Sequence, residues 1–210
     1  MVIKNLFLDA DGVLYRKISQ VVNCEINELT ESENSKEVIW RYWEPAKIGK
    51  ISSKEMWLGG SNIENYESGV FKELGISPSD YDLFIERLRN SFKYFDGAEK
   101  FLEKVMETEV NMYLLSNSSY DFTERQYNDL ETGRYISTPF YSHKMGVAKP
   151  DEEIYYTALA RTDSSVLDSM FVDDKIININ AANKIGMHTK LFKNGEDFES
   201  ILDELFQNGK

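Results

Sequence analysis

The stretch "LFLDADGVLY", residues 6–15, ends an apolar run with two aspartates, Asp9 and Asp11, followed by Gly12. The apolar residues predict a buried strand over residues 2–8. Two like charges held close together are costly unless something between them needs both. The end of this strand therefore predicts a turn, a calcium loop or a reactive site, and the other motifs have to decide between them.

Three interpretations of the aspartate pair can be compared. Asp-Gly between apolar runs is a strong hairpin signal, which by itself favours a turn about as much as a site. A calcium loop fails, because aligning Gly12 with the sixth position of an EF-hand places Phe7 first and Ile18 last. Residues two apart on an extended backbone face the same side, so Asp9 and Asp11 can approach one substrate together. Asp9 could then attack phosphorus, and Asp11 could exchange a proton with the leaving oxygen and with water.

Composition and charge describe an ordinary globular protein. The chain has 210 residues, of which 41% are hydrophobic and 29% charged, with a net charge of −12. This acidic balance argues against non-specific binding to nucleic acid or anionic membranes, which needs basic patches. A small phosphorylated substrate stays compatible with it, because a local cluster of donors and a cation can reverse the field inside a cleft.

The cysteine content and the lack of targeting signals predict a cytoplasmic protein. A single cysteine, Cys24, excludes an internal disulfide and suits a reducing compartment. The N-terminus lacks the basic region of a signal peptide, and no stretch approaches the roughly 20 apolar residues of a membrane span. We expect a monomer or a weak dimer with no membrane or nucleic-acid partner.

The pattern turns helical between residues 16 and 93. The helical segments are predicted near 36–48, 52–65 and 79–93. Ser52 and Glu55 form a capping-box pattern, and Ser79 is expected to cap the last segment. The aromatic residues of this region are interpreted as core of a helical bundle: Trp40, Tyr42, Trp43, Trp57 and Tyr66. "WLGGSN" is either a specificity loop or a connecting turn.

After residue 94 strands and helices alternate. The predicted strands are "VNMYLLSN", "PFYS", "SMFVDD" and "HTKLF", and the predicted helices are 98–108, "DEEIYYTALA", "IININAANKIG" and 195–207. Alternation implies a parallel sheet with helices on both faces. The predicted fold class is α/β, with a Rossmann-like parallel sheet core (1–15 and 94–210) and an inserted all-helical domain (16–93).

Polar residues follow four of the predicted strands. They are Asp9 and Asp11; Ser116 and Asn117; Ser142 before the loop to Lys149; and Asp173 and Asp174. Ligand sites in open parallel sheets form at the carboxyl ends of strands. Their convergence predicts one site at this edge.

Each motif also has an ordinary explanation when taken alone. Asp174, Asp9 and a backbone carbonyl would suit Mg²⁺, whereas an isolated Asp-Asp is more often a helix cap. Lys149 would supply a second cation, although most lysines are solvated surface groups. The Ser116 hydroxyl and the Asn117 amide suit a phosphoryl oxygen, although Ser-Asn alone is more often a turn.

Together the motifs resemble the haloacid dehalogenase superfamily. "DADGV", "LLSN", "GVAKPD" and "VDD" stand in that family's order and bracket nearly the whole chain. The helical insert after the first motif matches the position of the family's C1 cap, a lid over the active site. The resemblance implies that Asp9 is the nucleophile and Asp11 the general acid and base, with Ser116 and Lys149 on the phosphoryl group.

The resemblance also implies a Mg²⁺ site. Asp9, the Asp11 carbonyl and Asp174 would bind the ion, and Asp173 would reach it through water. A pairing of Lys149 with Asp173 is often found in the family. Gly12 would let the backbone turn away from the metal and the phosphoryl group.

The predicted function is a Mg²⁺-dependent phosphatase acting through an aspartyl-phosphate on a small phosphorylated metabolite, such as a sugar phosphate. Dehalogenases of the superfamily lack the second aspartate of the first motif, and Asp11 is present here. The motifs look most similar to sugar-phosphate phosphatases and to the phosphatase domain fused to mammalian epoxide hydrolase. A phosphomutase of the same fold and a binding protein without turnover stay open as alternatives.

Overall fold

A parallel sheet of five strands forms the centre of the part of the chain that the structure describes, residues 2–119, 122–195 and 197–207 of a computed structural model. The strands are β1 (Asn5–Leu8), β2 (Asn111–Ser116), β3 (Thr138–Tyr141), β4 (Ser169–Asp173) and β5 (His188–Leu191). Their order is β3-β2-β1-β4-β5, and all neighbouring pairs are parallel. The predicted α/β class is therefore confirmed.

The helices fall into two groups. Between β1 and β2 lie α1 (Ile18–Leu29), α2 (Ser35–Ala46), α3 (Ser53–Leu58), α4 (Gly69–Glu73), α5 (Tyr81–Asn90) and α6 (Ala98–Met106). After β2 come α7 (Phe122–Asp129), α8 (Ser142–Met145), α9 (Glu152–Arg161), α10 (Ile176–Lys184) and α11 (Asp197–Gln207). Short 3₁₀ turns occupy Pro78–Asp80, Thr132–Arg134 and Val166–Asp168.

Helices cover both faces of the sheet, which explains the apolar strands. Leu6 and Leu8 of β1 pack on one face with residues of α6 and α11. Phe7 points to the other face and packs with residues of α9 and α10. Because successive side chains of a strand alternate, a strand covered on both faces is apolar throughout.

Helices α1 to α5 form a helical insert, residues 18–90, with a hydrophobic cluster of its own. At its centre Trp57 meets Phe84 with ring centroids 4.8 Å apart, and Tyr42 is fully buried. Trp40 departs from the prediction, because its side chain is 61% exposed. It lies two residues before Tyr42 on α2 and therefore on a different face of the helix.

The ends of two insert helices test the sequence signals. The capping box is confirmed, since the Ser52 side chain accepts from the Glu55 backbone N–H and the Glu55 side chain accepts from the Ser52 N–H. The expectation that Ser79 is a cap is wrong. Ser77 caps the 3₁₀ turn instead, accepting from the Ser79 N–H, because Pro78 favours the first helical position.

The two glycines of "WLGGSN" end α3 earlier than predicted. Gly59 has φ +82°, and a Cβ there would lie 2.4 Å from the Glu67 carbonyl oxygen. The Gly60 N–H donates to the same oxygen at 2.9 Å. These contacts support the interpretation of a connecting turn that holds α3 against α4.

Among the described residues, no helix combines the length and apolarity needed to cross a bilayer.

Candidate active site

The central position of β1 brings the polar strand ends together. Strand β1 lies between β2 and β4, so Asp9 follows the middle of three adjacent strands. The Asp9 backbone N–H donates to the Val172 carbonyl at 2.9 Å, which holds it beside the end of β4. Ser116, the buried last residue of β2, lies two positions beyond Leu114, the partner of Leu8. The sheet thus brings three of the predicted motifs to one edge.

Lys149 is buried at the centre of the candidate site. Its ammonium donates to Asp9 Oδ1 at 2.6 Å, to Asp173 Oδ2 at 2.8 Å and to the Leu115 carbonyl at 2.7 Å. Burial lowers the pKa of Lys149, but Asp173 and Asp9 more than offset this, so the pKa is raised overall. Burial raises the pKa of Asp9, and the Lys149 ammonium opposes that rise. Lys149 is therefore a fixed positive charge beside Asp9.

Asn117 holds the backbone of Lys149. Its side-chain oxygen accepts from the Lys149 N–H at 2.8 Å, and its side-chain nitrogen donates to the Lys149 carbonyl at 2.8 Å. The amide expected to hold a phosphoryl oxygen is thus engaged with the main chain of the lysine loop. The arrangement favours a role in positioning Lys149, a contact between distant segments that the sequence does not reveal.

Asp11 lies at the junction with the helical insert. Its carboxylate accepts from the Ile18 N–H at 2.6 Å, and the Gly12 N–H donates to the Tyr15 carbonyl at 2.8 Å. Burial raises the pKa of Asp11 to about 6, against the opposing hydrogen bond from Ile18. A carboxyl group with that pKa can both give and accept a proton near neutral pH.

Gly12 allows the chain to leave the strand close to the acidic residues. Its φ is +96°, and a Cβ would lie 2.8 Å from Asp174 Oδ2 and 2.8 Å from Lys17 Cε. Any side chain would therefore meet both neighbours in a backbone conformation that L-residues rarely adopt. This agrees with the expected role of the glycine.

The two aspartates at the end of β4, Asp173 as its last residue and Asp174 directly after it, have different partners. Both oxygens of Asp173 accept from the Asn178 side-chain nitrogen at 3.0 Å, and Oδ1 also accepts from the Lys175 N–H at 2.7 Å. Asp174 Oδ2 pairs with the Lys17 ammonium at 2.6 Å, whereas Asp174 Oδ1 is buried without a hydrogen-bond partner among the described residues. A buried carboxylate oxygen without a partner is what a metal ligand presents before the ion binds.

The carboxylates fit a hard cation. Asp9, Asp173 and Asp174 each offer an oxygen, and these atoms lie within 4.8 Å of one another. Mg²⁺ prefers oxygen ligands and is usually bound by one or two carboxylates together with waters. The residues present therefore suit Mg²⁺. The structure brings together the predicted carboxylates Asp9, Asp173 and Asp174, whereas the Asp11 carbonyl stays a predicted ligand.

Sequence reasoning missed two residues of this site, Asn178 and Lys17. Asn178 is a buried polar residue within the apolar helix "IININAANK", which is a signal that could have been followed. Lys17 lies between β1 and α1, directly before the helix begins, and nothing in its sequence context indicates a contact with Asp174. The Lys17 contact depends on how β1 and β4 lie beside each other, whereas Asn178 reaches Asp173 from the next helix, five residues along the chain.

These features define the class: an α/β protein with carboxylates and a buried lysine at the carboxyl edge of a parallel sheet. The chain belongs to the haloacid dehalogenase-like hydrolase family, whose model matches residues 55–192. The match begins after the first motif and includes Asn117, Lys149, Asp173 and Asp174.

Two curated relatives are named for their substrates. Flavin mononucleotide hydrolase 1 of Arabidopsis thaliana is 27% identical over 143 residues, which are 66% of this chain and 57% of that protein. The sesquiterpene phosphatase astK of Aspergillus oryzae is 44% identical over 158 residues, 69% of this chain and 80% of that protein. The chain thus spans little more than half the length of the flavin mononucleotide hydrolase.

Solved structures show the same fold. The magnesium complex of the HAD family enzyme BT-2542 from Bacteroides thetaiotaomicron has a TM-score of 0.78 and 22% identity, and covers 96% of this chain and 99% of its own. A complex of that enzyme with magnesium and inorganic phosphate has a TM-score of 0.75 and 22% identity, with 95% and 98% covered. At this identity the likeness shows the fold.

Proposed function

We propose that this protein is a Mg²⁺-dependent phosphatase that hydrolyses a phosphate monoester through an aspartyl-phosphate on Asp9. The observation that carries the proposal is the buried Lys149 ammonium, held between Asp9 at 2.6 Å and Asp173 at 2.8 Å where the strands end. A fixed cation beside a nucleophilic carboxylate reduces its repulsion from a phosphate dianion.

In the first half-reaction Asp9 acts as the nucleophile. One of its carboxylate oxygens forms a bond to phosphorus, and the bond between phosphorus and the leaving oxygen breaks. The leaving oxygen takes a proton from Asp11, whose raised pKa supports this role. The alcohol departs and Asp9 carries the phosphoryl group.

In the second half-reaction water restores the enzyme. Asp11, now ionised, takes a proton from a water molecule as the water oxygen bonds to phosphorus. The bond between Asp9 and phosphorus breaks, and inorganic phosphate leaves with Asp11 protonated again. One residue can serve both steps because each leaves it in the state that the other needs.

The remaining residues bind the phosphoryl group and the metal. Ser116 and Lys149 would hold phosphoryl oxygens, with Asn117 keeping Lys149 in place. Asp9, the Asp11 carbonyl and Asp174 would hold Mg²⁺, with Asp173 reaching it through water. Bound Mg²⁺ would offset the charge shared by the carboxylates and the substrate.

The helical insert is proposed to be the cap, with the core formed by residues 1–15 and 94–210 and the cap by 16–93. Its own hydrophobic cluster supports this division. It docks on the core through Ser53, whose hydroxyl donates to the Ser119 hydroxyl at 2.8 Å, and through Arg89, which pairs with Asp129 at 2.9 Å. The cap would then decide which leaving group fits.

Three kinds of leaving group are proposed for testing. The sequence suggests sugar phosphates, and the named relatives add flavin mononucleotide and a sesquiterpenyl phosphate as compounds to test. We further propose a cytoplasmic monomer or weak dimer, although one relative is named chloroplastic. Sedimentation of the purified chain would test the assembly.

Release of inorganic phosphate tests the function. The panel contains p-nitrophenyl phosphate, flavin mononucleotide, farnesyl phosphate and several sugar phosphates, each with Mg²⁺ and with EDTA. We expect release from at least one compound, its loss with EDTA, and its loss in Asp9→Asn. Full activity in chelator would contradict the metal role, and conversion between sugar phosphates without release would favour a phosphomutase.

A further inference from the structure

Lys17 links the helical insert to the candidate metal site. It is the residue immediately before α1, and its ammonium lies 2.6 Å from Asp174 Oδ2. The Lys17 side chain is 43% exposed, whereas that of Asp174 is 7% exposed. The pair therefore joins a flexible, partly solvated cation to a buried carboxylate.

The Lys17 ammonium lies beside residues that could hold a metal ion. Asp174 is one of the three residues whose oxygens come close enough to hold a metal, and its other oxygen has no hydrogen-bond partner among the described residues. The Cε atom of Lys17 passes over Gly12, in the turn that also carries Asp11. A positive charge at the entry to the insert thus lies against the candidate metal ligands.

We propose that Lys17 is an internal competitor of Mg²⁺: it pairs with Asp174 when the metal is absent and is displaced when the metal binds. This inference rests on the proposed Mg²⁺ dependence. Metal binding would then break a contact between the insert and the core, so that occupancy of the site and the position of the insert become coupled.

Repulsion between the two cations sets the sign of the coupling between Lys17 and Mg²⁺. A univalent and a divalent cation sharing one carboxylate repel each other across a few ångströms, so each weakens the binding of the other. Because such coupling is reciprocal, the pair that lowers Mg²⁺ affinity is itself weakened by Mg²⁺ to the same degree. The exposed stem of Lys17 lets its ammonium move into water at small cost.

A positioning role for Lys17 predicts the opposite result. If Lys17 orients Asp174 so that the free oxygen faces the ion, removing the ammonium would weaken Mg²⁺ binding. The direction of the change in Mg²⁺ affinity therefore separates a competitor from a positioning residue.

Calorimetric titration of the metal-free full chain with Mg²⁺ tests the inference without any substrate. The variant Lys17→Met keeps the length of the side chain and removes its charge. Lys175→Met is the matched control, since Lys175 is exposed and acts electrostatically on both Asp9 and Asp11. Among the described residues, the ion pair of Asp174 is with Lys17 and not with Lys175. Circular dichroism would verify that both variants fold.

We expect the Mg²⁺ dissociation constant of Lys17→Met to fall by about tenfold, and that of Lys175→Met by less than about threefold because exposed charges are screened. In the wild type, Mg²⁺ should speed up hydrogen exchange over residues 14–22. In Lys17→Met, exchange over the same residues should already be fast without Mg²⁺. Unchanged or weaker Mg²⁺ binding by Lys17→Met would overturn the inference alone. Absence of Mg²⁺ binding in the wild type would overturn both the inference and the metal role in the proposed function.

Discussion

At the scale of single residues, the position of Lys149 depends on a side chain from another motif. Two hydrogen bonds, one donated and one accepted by the Asn117 side chain and each 2.8 Å long, fix the main chain of Lys149. The Lys149 ammonium then reaches Asp9 and Asp173. A shift of about 1 Å in a catalytic group can cost about 10²-fold in rate. Asn117 should therefore matter to catalysis, although its side chain bonds the main chain of Lys149 and not the substrate.

Replacing Asn117 tests this directly. Asn117→Ala should lower kcat by about 10²-fold, because the Lys149 loop loses both of its side-chain bonds. Asn183→Ala is the matched control, since that exposed amide makes one long bond to Thr189 at 3.4 Å. Steady-state kinetics and urea unfolding of both variants would check the prediction. A kcat of Asn117→Ala equal to that of the control would contradict it.

Asp11 has a separate prediction. Asp11→Asn should slow formation of the phosphoenzyme least when the leaving group needs no proton, because its first role is that of an acid. With p-nitrophenyl phosphate, formation should be spared relative to a sugar phosphate, and the phosphoenzyme should persist for want of a base. Rapid quench with labelled donors would measure both. Equal slowing for both donors, without accumulation, would leave Asp11 only a positioning role.

The sequence predicted the residues of the site better than their contacts. Asp9, Asp11, Ser116, Lys149 and the Asp173–Asp174 pair could be found because short motifs carry them. The bonds made by Asn117 and Lys17 could not, since each joins segments far apart in the chain. The bonds from Asn178 to Asp173 span only five residues, and the buried polar residue in an apolar helix was a signal for them that was not used. Residue type and spacing identify a chemistry, whereas the partner of a side chain is a tertiary property.

At the scale of elements, a turn of the insert docks against α8. Gly49, which follows α2, has φ +73°, and a Cβ there would lie 2.3 Å from the His143 carbonyl oxygen. The Ser142 hydroxyl donates to the Lys47 carbonyl in the same turn. The backbone of the insert thus approaches the core more closely than any side chain would permit.

Gly49→Ala should disturb this docking. Gly75→Ala is a matched control, because Gly75 has a similar φ of +70° and no atom within 4 Å of a built Cβ. The control should cost about 1 kcal/mol of unfolding free energy from backbone strain, whereas Gly49→Ala should cost more and should speed hydrogen exchange at 47–53. Urea unfolding would compare them. Equal losses in the two variants would argue against close docking at this turn.

Local signals predicted the elements unevenly. The capping box of Ser52 and Glu55 was predictable because its bonds lie within four residues. Ser79 was misread because Ser77 and Pro78 begin a 3₁₀ turn first, and α3 ended early because Gly59 turns the chain. Trp40 was misread because composition does not tell which face of α2 meets the insert core.

At the scale of the whole molecule, the site joins parts that have separate cores. The helical insert packs around its own aromatic cluster, and the sheet packs around two others. The carboxylates lie where the insert begins and the strands end. A bound cation at this place would stabilise the fold by mass action, because the unfolded chain does not assemble its ligands.

Metal binding should therefore be visible in thermal stability. Mg²⁺ at 100 times its dissociation constant should add about 2.7 kcal/mol of stability and raise Tm. Asp174→Ala should reduce this rise more than Asp173→Ala, and Asp168→Ala, which removes a distant ion pair with Lys4, should leave it unchanged. Differential scanning calorimetry would measure it. An undiminished rise in Asp174→Ala would exclude that residue as a ligand.

The central claim is that Asp9 carries the phosphoryl group. The most direct measurement is rapid acid quench of the Asp11→Asn enzyme with labelled p-nitrophenyl phosphate and Mg²⁺, followed by digestion and mass spectrometry of the labelled peptide. We predict a hydroxylamine-labile phosphoryl group on Asp9, and no label on the protein in Asp9→Asn. Label on another residue, or hydrolysis by Asp9→Asn within about tenfold of the wild-type rate, would contradict the account.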